Sequence, residues 1–395
     1  MPNFKTKNIA MPNFPIKFGN SEFLYKAICE KNESLLKVSQ NGEEFFIQIR
    51  EKKDVILVKA EKISRPSQVV FAQQALRDFR DLCKCSVIFS NIEPQKEKKK
   101  KRYNTIKDID FFADRFENKK EMWIEIGFGS GRHLLYQAKK HKDIQFVGLE
   151  IHKPSIEQVA KQCEIQSIDN ISILDYDARL FLEFLGSNSV GKIFVHFPVP
   201  WDKKPHRRVI SSEFIGESIR VLKPNGTLEL RSDSEKYFNY SIEEFLKLNK
   251  LNININKNKN LDISSKYEDR WKKQEKDIYD ITLKNEEISE EKPKISKIKF
   301  NSTYEFKKIV KNFHKIVKNE KDFFLHVEDI FIINENEGLI KISLGASTKN
   351  ERVYVEFARD KVSYFPDNIL ETKANKQAHN LLVKWLNELI MGKTK

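Results

Sequence analysis

At 395 residues the chain is too long for one ordinary domain, and two or three are expected. No stretch is apolar enough to span a bilayer, and the opening MPNFKTKNIAMPNF lacks a signal peptide's apolar core, which points to a cytoplasmic protein. A net charge of +14 fits a polyphosphate partner, although solvated Lys-rich faces would give the same excess, and four cysteines form neither a disulfide framework nor a zinc knuckle.

Residues 1–92 read as a small α+β domain. Alternating runs at Phe23–Cys29, Leu35–Val38, Phe45–Ile49 and Val55–Val58 predict strands, with Asn41-Gly42 as a hairpin turn. Helical spacing follows over Val69–Leu82, then a strand at Ser86–Phe89. The Lys-rich run from Glu93 to Arg102 cannot bury apolar surface. It reads first as part of a solvated linker over residues 93–107, and second as a contact to a nucleic-acid backbone.

Residues 108–290 change pattern. Strands are predicted at Trp123–Ile126, Phe146–Glu150, Ile171–Leu174, Ile193–Phe197 and Thr227–Arg231. Helices fall between them at Arg132–Lys139, Pro154–Cys163, Leu180–Leu185 and Glu213–Leu222. Such alternation predicts a doubly wound, Rossmann-like α/β domain. The polar tract Asn252–Asn260 reads as a loop. Residues 293–395 form a second α+β domain, with helices at Tyr304–Val317 and Lys376–Ile390 around strands at Phe323–Ile333, Leu339–Leu344 and Arg352–Phe357. No strict internal repeat is visible.

The sharpest local signal is Ile124-Glu-Ile-Gly-Phe-Gly-Ser-Gly131, a strand running through glycines into a helix. Gly127 and Gly129 let the backbone approach a ligand at a helix N-terminus, though a plain turn needs the same residues. Glu150, ending the next strand, is suited to both hydroxyls of a ribose. Asp177, after the third strand, is placed to accept from an adenine amino group. With the turn Leu222-Lys-Pro-Asn-Gly226, these residues favour S-adenosylmethionine over a nicotinamide dinucleotide. The fourth strand ends in Phe197-Pro-Val-Pro-Trp-Asp-Lys-Lys-Pro-His-Arg-Arg208. Its prolines stiffen a loop in which Trp201 offers a stacking face and Lys203, Lys204, Arg207 and Arg208 offer phosphate contacts.

The ordered set Glu125-Ile-Gly-Phe-Gly129, Glu150-Ile-His152, Phe197-Pro-x-Pro-Trp-x-Lys203, Asp233 and Ser265-Lys-Tyr-Glu268 resembles the tRNA (guanine-N7-)-methyltransferases, from about Asp108 to Leu283. The resemblance implies methyl transfer from S-adenosylmethionine to N7 of a guanosine in tRNA. It assigns Glu125, Glu150 and Asp177 to the cofactor, and Lys203, Asp233, Ser265 and Glu268 to the guanosine. Asp233 and Glu268 would then manage positive charge passing to the purine. Two positions depart from the family pattern: Ser265 stands for Thr, keeping the hydroxyl, and Val199 stands for an Asp between the prolines. Another RNA position, a small molecule, or a silent RNA-binding protein are the competing functions. His133, His152 and His196 are expected to cap or pack, and no metal site is expected. Nothing specifies an oligomeric state, and a monomer fits the sequence.

Overall fold

The computed structural model describes residues 1–93, 103–116, 120–263, 268–269, 274–293, 295–346, 349–359 and 361–392. They group into two compact units, one of residues 101–294 and one that joins residues 1–100 to 295–395. The chain opens with strands β1 (Asn3–Thr6), β2 (Ile16–Phe18), β3 (Ser21–Cys29), β4 (Glu33–Gln40), β5 (Glu43–Lys52) and β6 (Val55–Ala60). Helix α1 (Val69–Leu82) and β7 (Val87–Ser90) follow.

The middle unit contains β8 (Ile106–Lys107), β9 (Met122–Ile126), α2 (Arg132–Lys140), β10 (Gln145–Leu149), α3 (Lys153–Ile165) and β11 (Ile171–Leu174). It continues through α4 (Ala178–Phe181), β12 (Val190–His196), α5 (Ser212–Val221), β13 (Leu222–Ser232) and α6 (Glu235–Phe245) to β14 (Ile253–Lys257) and β15 (Tyr279–Lys284). The sheet order is β14-β15-β13-β12-β9-β10-β11-β8, parallel from β13 to β8 and antiparallel at β15 and β14. Trp123, Phe146, Ile171, Ile173 and Phe194 pack against Leu134 and Ala138 of α2 and Val159 and Cys163 of α3. The alternate residues Ile124, Val147 and Val195 are just as buried. Side chains alternate across a strand, so both faces of the parallel strands are covered. The chain runs outward from β9 through β10 to β11, then returns to β12 on the other side of β9. That reversal opens a crevice at the carboxyl ends of β9 and β12, where doubly wound sheets bind ligands.

Three expectations change here. Asn252–Asn260 contains β14, whose backbone pairs with β15 and whose side chains are mostly exposed, so it carries little apolar signal. Residues 94–102 of the expected linker lie outside the described residues, and its end, Ile106–Lys107, joins the sheet beside β11. The expected helix Tyr304–Val317 is shorter, Phe306–Asn312, because Ile316 and Val317 begin a strand.

The C-terminal segment continues with β16 (Ile316–Asn319), β17 (Phe324–Ile332), β18 (Gly338–Ala346), β19 (Lys349–Ala358), β20 (Lys361–Phe365) and a closing helix, Lys373–Ile390. It does not stand as a separate flanking domain. One 12-stranded sheet runs β20-β19-β18-β17-β3-β4-β5-β6-β1-β7, with β16 paired to β17 and β2 to β3 beside that path, and so combines both chain ends. Its halves also pack face to face. Ala27, Leu35 and Phe46 share a core with Phe331, Leu339, Tyr354 and Phe365, and Phe46 lies 5.1 Å from Tyr354 and 4.9 Å from Phe365. The buried Lys37 ammonium pairs with Glu356 at 2.8 Å, and the Tyr25 hydroxyl donates to the same carboxylate at 2.6 Å.

The halves are also two copies of one module, a repeat that the sequence reading missed. Each is a short strand, a four-stranded antiparallel meander and a helix. Ile28, Asn32, Glu33, Leu35, Lys37 and Ser39 align without a gap with Ile332, Asn336, Glu337, Leu339, Lys341 and Ser343. The first strand pair breaks register between Phe23 and Tyr25 in one copy and between Val327 and Asp329 in the other, equivalent positions in that alignment. The copies meet where Ile28 pairs antiparallel with Ile332, as a local two-fold axis requires. Residues 101–294 are therefore inserted between two halves of a duplicated β-meander unit.

Candidate active site

The turns that carry Gly127, Glu150, Asp177, the Phe197–Arg208 loop and Asp233 follow five parallel strands and so leave the carboxyl end of the middle sheet. After β9 the chain turns sharply, and the Gly127 amide donates to the Leu149 carbonyl at 2.8 Å. Gly127 sits at φ +69°, with nothing within 4 Å of where a Cβ would project. Gly131 caps α2 at φ +71°, and there a Cβ would collide with Val159. The first glycine thus leaves open space beside the backbone, and the second lets α2 lie close to α3.

Glu150 locks this turn to the end of β10. One carboxylate oxygen accepts the Gly129 amide at 2.9 Å, and the other accepts the Ile151 and His152 amides at 2.8 and 3.0 Å. A carboxylate has about four lone-pair sites, so Glu150 is held in place with one still to offer. Asp177 follows β11 and caps α4, accepting from the Arg179 amide at 3.0 Å and pairing with its guanidinium at 2.7 Å. Glu125 is buried on β9 and bonded to His133 Nδ1 at 2.8 Å. Burial works against charge on His133, but Glu125's charge and hydrogen bond outweigh it and hold the imidazole above its ordinary range. His196 lies 4.6 Å away, and burial, His133 and Arg231 push it well below that range. His152 stands at the N-cap position of α3 and its ring bonds the Ser155 hydroxyl at 2.9 Å, without capping a backbone amide.

The loop after β12 departs from extended backbone at two non-glycine residues, Phe197 at φ +51° and Trp201 at φ +47°. Such strain persists only where surrounding structure fixes it. The Phe197 amide donates to the Arg231 carbonyl at 2.7 Å, and Arg208 clamps the loop from within. Arg208 is 8% exposed, donates to the Pro200 carbonyl at 2.8 Å and stacks on Tyr240 at 4.4 Å. Its guanidinium is spent on the loop itself, in place of the solvent-facing phosphate contact expected of it. Lys203 and Lys204 are exposed, and Arg207 stacks on Trp201 at 5.2 Å. Val199 is 60% exposed between its prolines.

At the end of β13, Asp233 is half-buried and pairs with Lys276 at 3.2 Å. Glu268 is 1% exposed and bonds the equally buried Arg231 at 2.9 Å, while Arg231 also bonds Asp280 at 2.5 Å. Burial pushes Asp280 upward against the pull of Arg231. Ser265 lies outside the described residues. Sequence reasoning missed Arg231 and Asp280. The signal was a charged residue in a buried strand, which demands a buried counter-charge.

A family model described as a putative methyltransferase matches residues 119–281. The tRNA (guanine-N(7)-)-methyltransferase of Wolinella succinogenes is 38% identical over 98% of this chain and the whole of that protein. Its Campylobacter jejuni counterpart is 43% identical over 90% of this chain and 91% of that one. The Helicobacter hepaticus protein of the same name is 34% identical over 98% of this chain and all of its own length. These alignments run through the inserted unit and the chain ends alike. The chain belongs to the tRNA (guanine-N(7)-)-methyltransferase family.

Proposed function

We propose that the protein transfers the methyl group of S-adenosylmethionine to N7 of a guanosine in tRNA. The observation that carries this reading is the convergence of Gly127, Glu150, Asp177, the Phe197–Arg208 loop and Asp233 at the carboxyl end of the middle sheet. The open space at Gly127 and the carboxylate preset at Glu150 fit a nucleoside with a free ribose edge. S-adenosylmethionine, when bound, supplies an electrophilic methyl on a sulfonium.

Guanine N7 carries a free lone pair at neutral pH, so no base must remove a proton first. The protein's work is then placement of that lone pair and stabilisation of positive charge passing to the purine. Asp233 is the acid suited to the second task. Glu268 serves it from behind, as the buried partner that positions Arg231 next to Ser232 and Asp233. Lys203 and Arg207 take phosphate contacts, and Trp201 offers a stacking surface. The test is mass spectrometry of nucleosides from tRNA incubated with protein and cofactor. N7-methylguanosine is the expected product; methylation elsewhere, or none, rejects the reading.

A further inference from the structure

The inner face of the chain-end sheet continues past the point where the second module covers it. Along that one face, Phe46 and Gln48 of β5 are buried, and Leu57 and Lys59 of β6 are half-buried. Lys5 of β1 is exposed, and Phe89 of β7 is 48% exposed. Strand pairing sets them side by side: Gln48 faces Lys59, Arg50 and Lys5 both face Leu57, and Phe89 faces Lys5 on its other side. Among the described residues, β1 and β7 have no counterpart in the second module, whose meander ends at β20. The first module therefore carries two extra strands whose inner face stays open.

We propose that this open face, built on Lys59, Lys5 and Phe89, docks the phosphate backbone of the tRNA and stacks one base on Phe89. The proposal rests on the tRNA reading above and adds a second contact surface to it. Charge supports it, because nearly all of the chain's +14 excess lies in residues 1–100 and 295–395. Two acids near the face are already engaged. Glu33 accepts from Gln48 and Arg50, and Glu61 accepts from the Ile63 and Ser64 amides. Burial, then Arg50 and Lys62, depress Lys59, and a phosphate on this face would favour its charged form. The Lys5 ammonium lies 5.9 Å from the Phe89 ring, which places a cation and an aromatic face together on an open surface. Proteins that hold nucleic acid without reading its sequence use that pairing.

Steady-state kinetics on tRNA with the full chain test the proposal. Lys5→Gln combined with Lys59→Gln is expected to raise the tRNA KM about tenfold and leave kcat unchanged. The logarithmic salt slope of tRNA binding should become shallower by about two. Phe89→Ala is expected to raise KM about tenfold with the slope unchanged, since stacking releases no counterion. Lys384→Gln, exposed on the closing helix, is the control and is expected to do neither. If the double variant fails to fold, Lys5→Gln alone carries the test at an exposed position, with a slope change of about one. An unchanged KM and slope, or an equal effect of Lys384→Gln, overturns the proposal. Failure of the wild-type protein to make N7-methylguanosine overturns the methylation reading instead, while direct tRNA binding by the variants still decides this one.

Discussion

Val199 shows how far single residues explain the site. Its isopropyl group sits 60% exposed between two prolines, where it accepts no hydrogen bond, so polar work at this end of the sheet falls to another residue. Asp233 remains half-buried at the end of β13, whereas Asp202 is more exposed and leans toward Arg208 at 3.4 Å. Asp233→Asn is therefore expected to slow single-turnover methylation by about thirty- to a thousandfold, roughly 2–4 kcal/mol of transition-state stabilisation. Asp202→Asn and Val199→Ala should cost much less; collapse of Asp202→Asn with Asp233→Asn near wild type would show that the acid is misassigned. Glu125 leads to a different prediction, because its carboxylate is bonded to His133. A histidine raised above its ordinary 6.5 gives its full stabilisation below that value and loses it as pH climbs through the raised pKa. The stability gap between wild type and Glu125→Gln, read from urea midpoints, is expected to be widest near about pH 6 and to narrow toward about pH 9. A gap constant with pH would remove the charged pair from the account. The place of Glu150 at the end of β10 was legible because strand and acid are adjacent in sequence, whereas Asp233 was named only through the family resemblance. The Arg231–Asp280 contact was not legible, since it joins strands far apart in sequence.

Elements were legible where burial wrote a period into the sequence. Five of the six parallel strands, all but β8, and α2, α3 and α5 were anticipated, because their apolar positions repeat at the spacing of their structure. Strands β14 and β15 and helix α6 escaped notice. β14 is a polar edge strand held by backbone pairing. For α6 a cap signal was present, since Ser234 accepts the Tyr237 amide at 3.2 Å, but its apolar stripe is thin. The loop after β12 is basic by sequence, yet sequence could not sort its cations. Arg208 is buried, so Arg208→Gln should destabilise the protein by about 1–3 kcal/mol in urea denaturation, through the lost carbonyl bond and stacking. Lys203→Gln and Arg207→Gln should leave stability within about 0.5 kcal/mol. Each should make the tRNA salt slope shallower by about one. An Arg208→Gln protein of wild-type stability but shallower slope would restore its phosphate role.

At the scale of the whole molecule, the two end segments were each recognised as α+β, but nothing local told them to combine. Their joint core is assembled from residues hundreds of positions apart, and the repeat is diluted everywhere except around Leu35 and Leu339. The arrangement makes each module dependent on the other. Phe46 contributes to this joint, with its ring against Tyr354 and Phe365 and no exposed surface. Removing a buried Phe side chain costs roughly 3–5 kcal/mol when the cavity cannot collapse. The middle unit has its own sheet and core, with none of its strands paired to the chain-end sheet among the described residues. Phe46→Ala should therefore weaken the chain-end unit while the affinity for S-adenosylmethionine stays near wild type. Cofactor should in turn protect only the unit that binds it, by about 2.7 kcal/mol at a hundredfold excess over Kd. Urea unfolding with and without cofactor, read by probes in each unit, separates the two effects. A single transition shifted alike by Phe46→Ala and by cofactor would mean that the inserted unit and its duplicated frame unfold as one body.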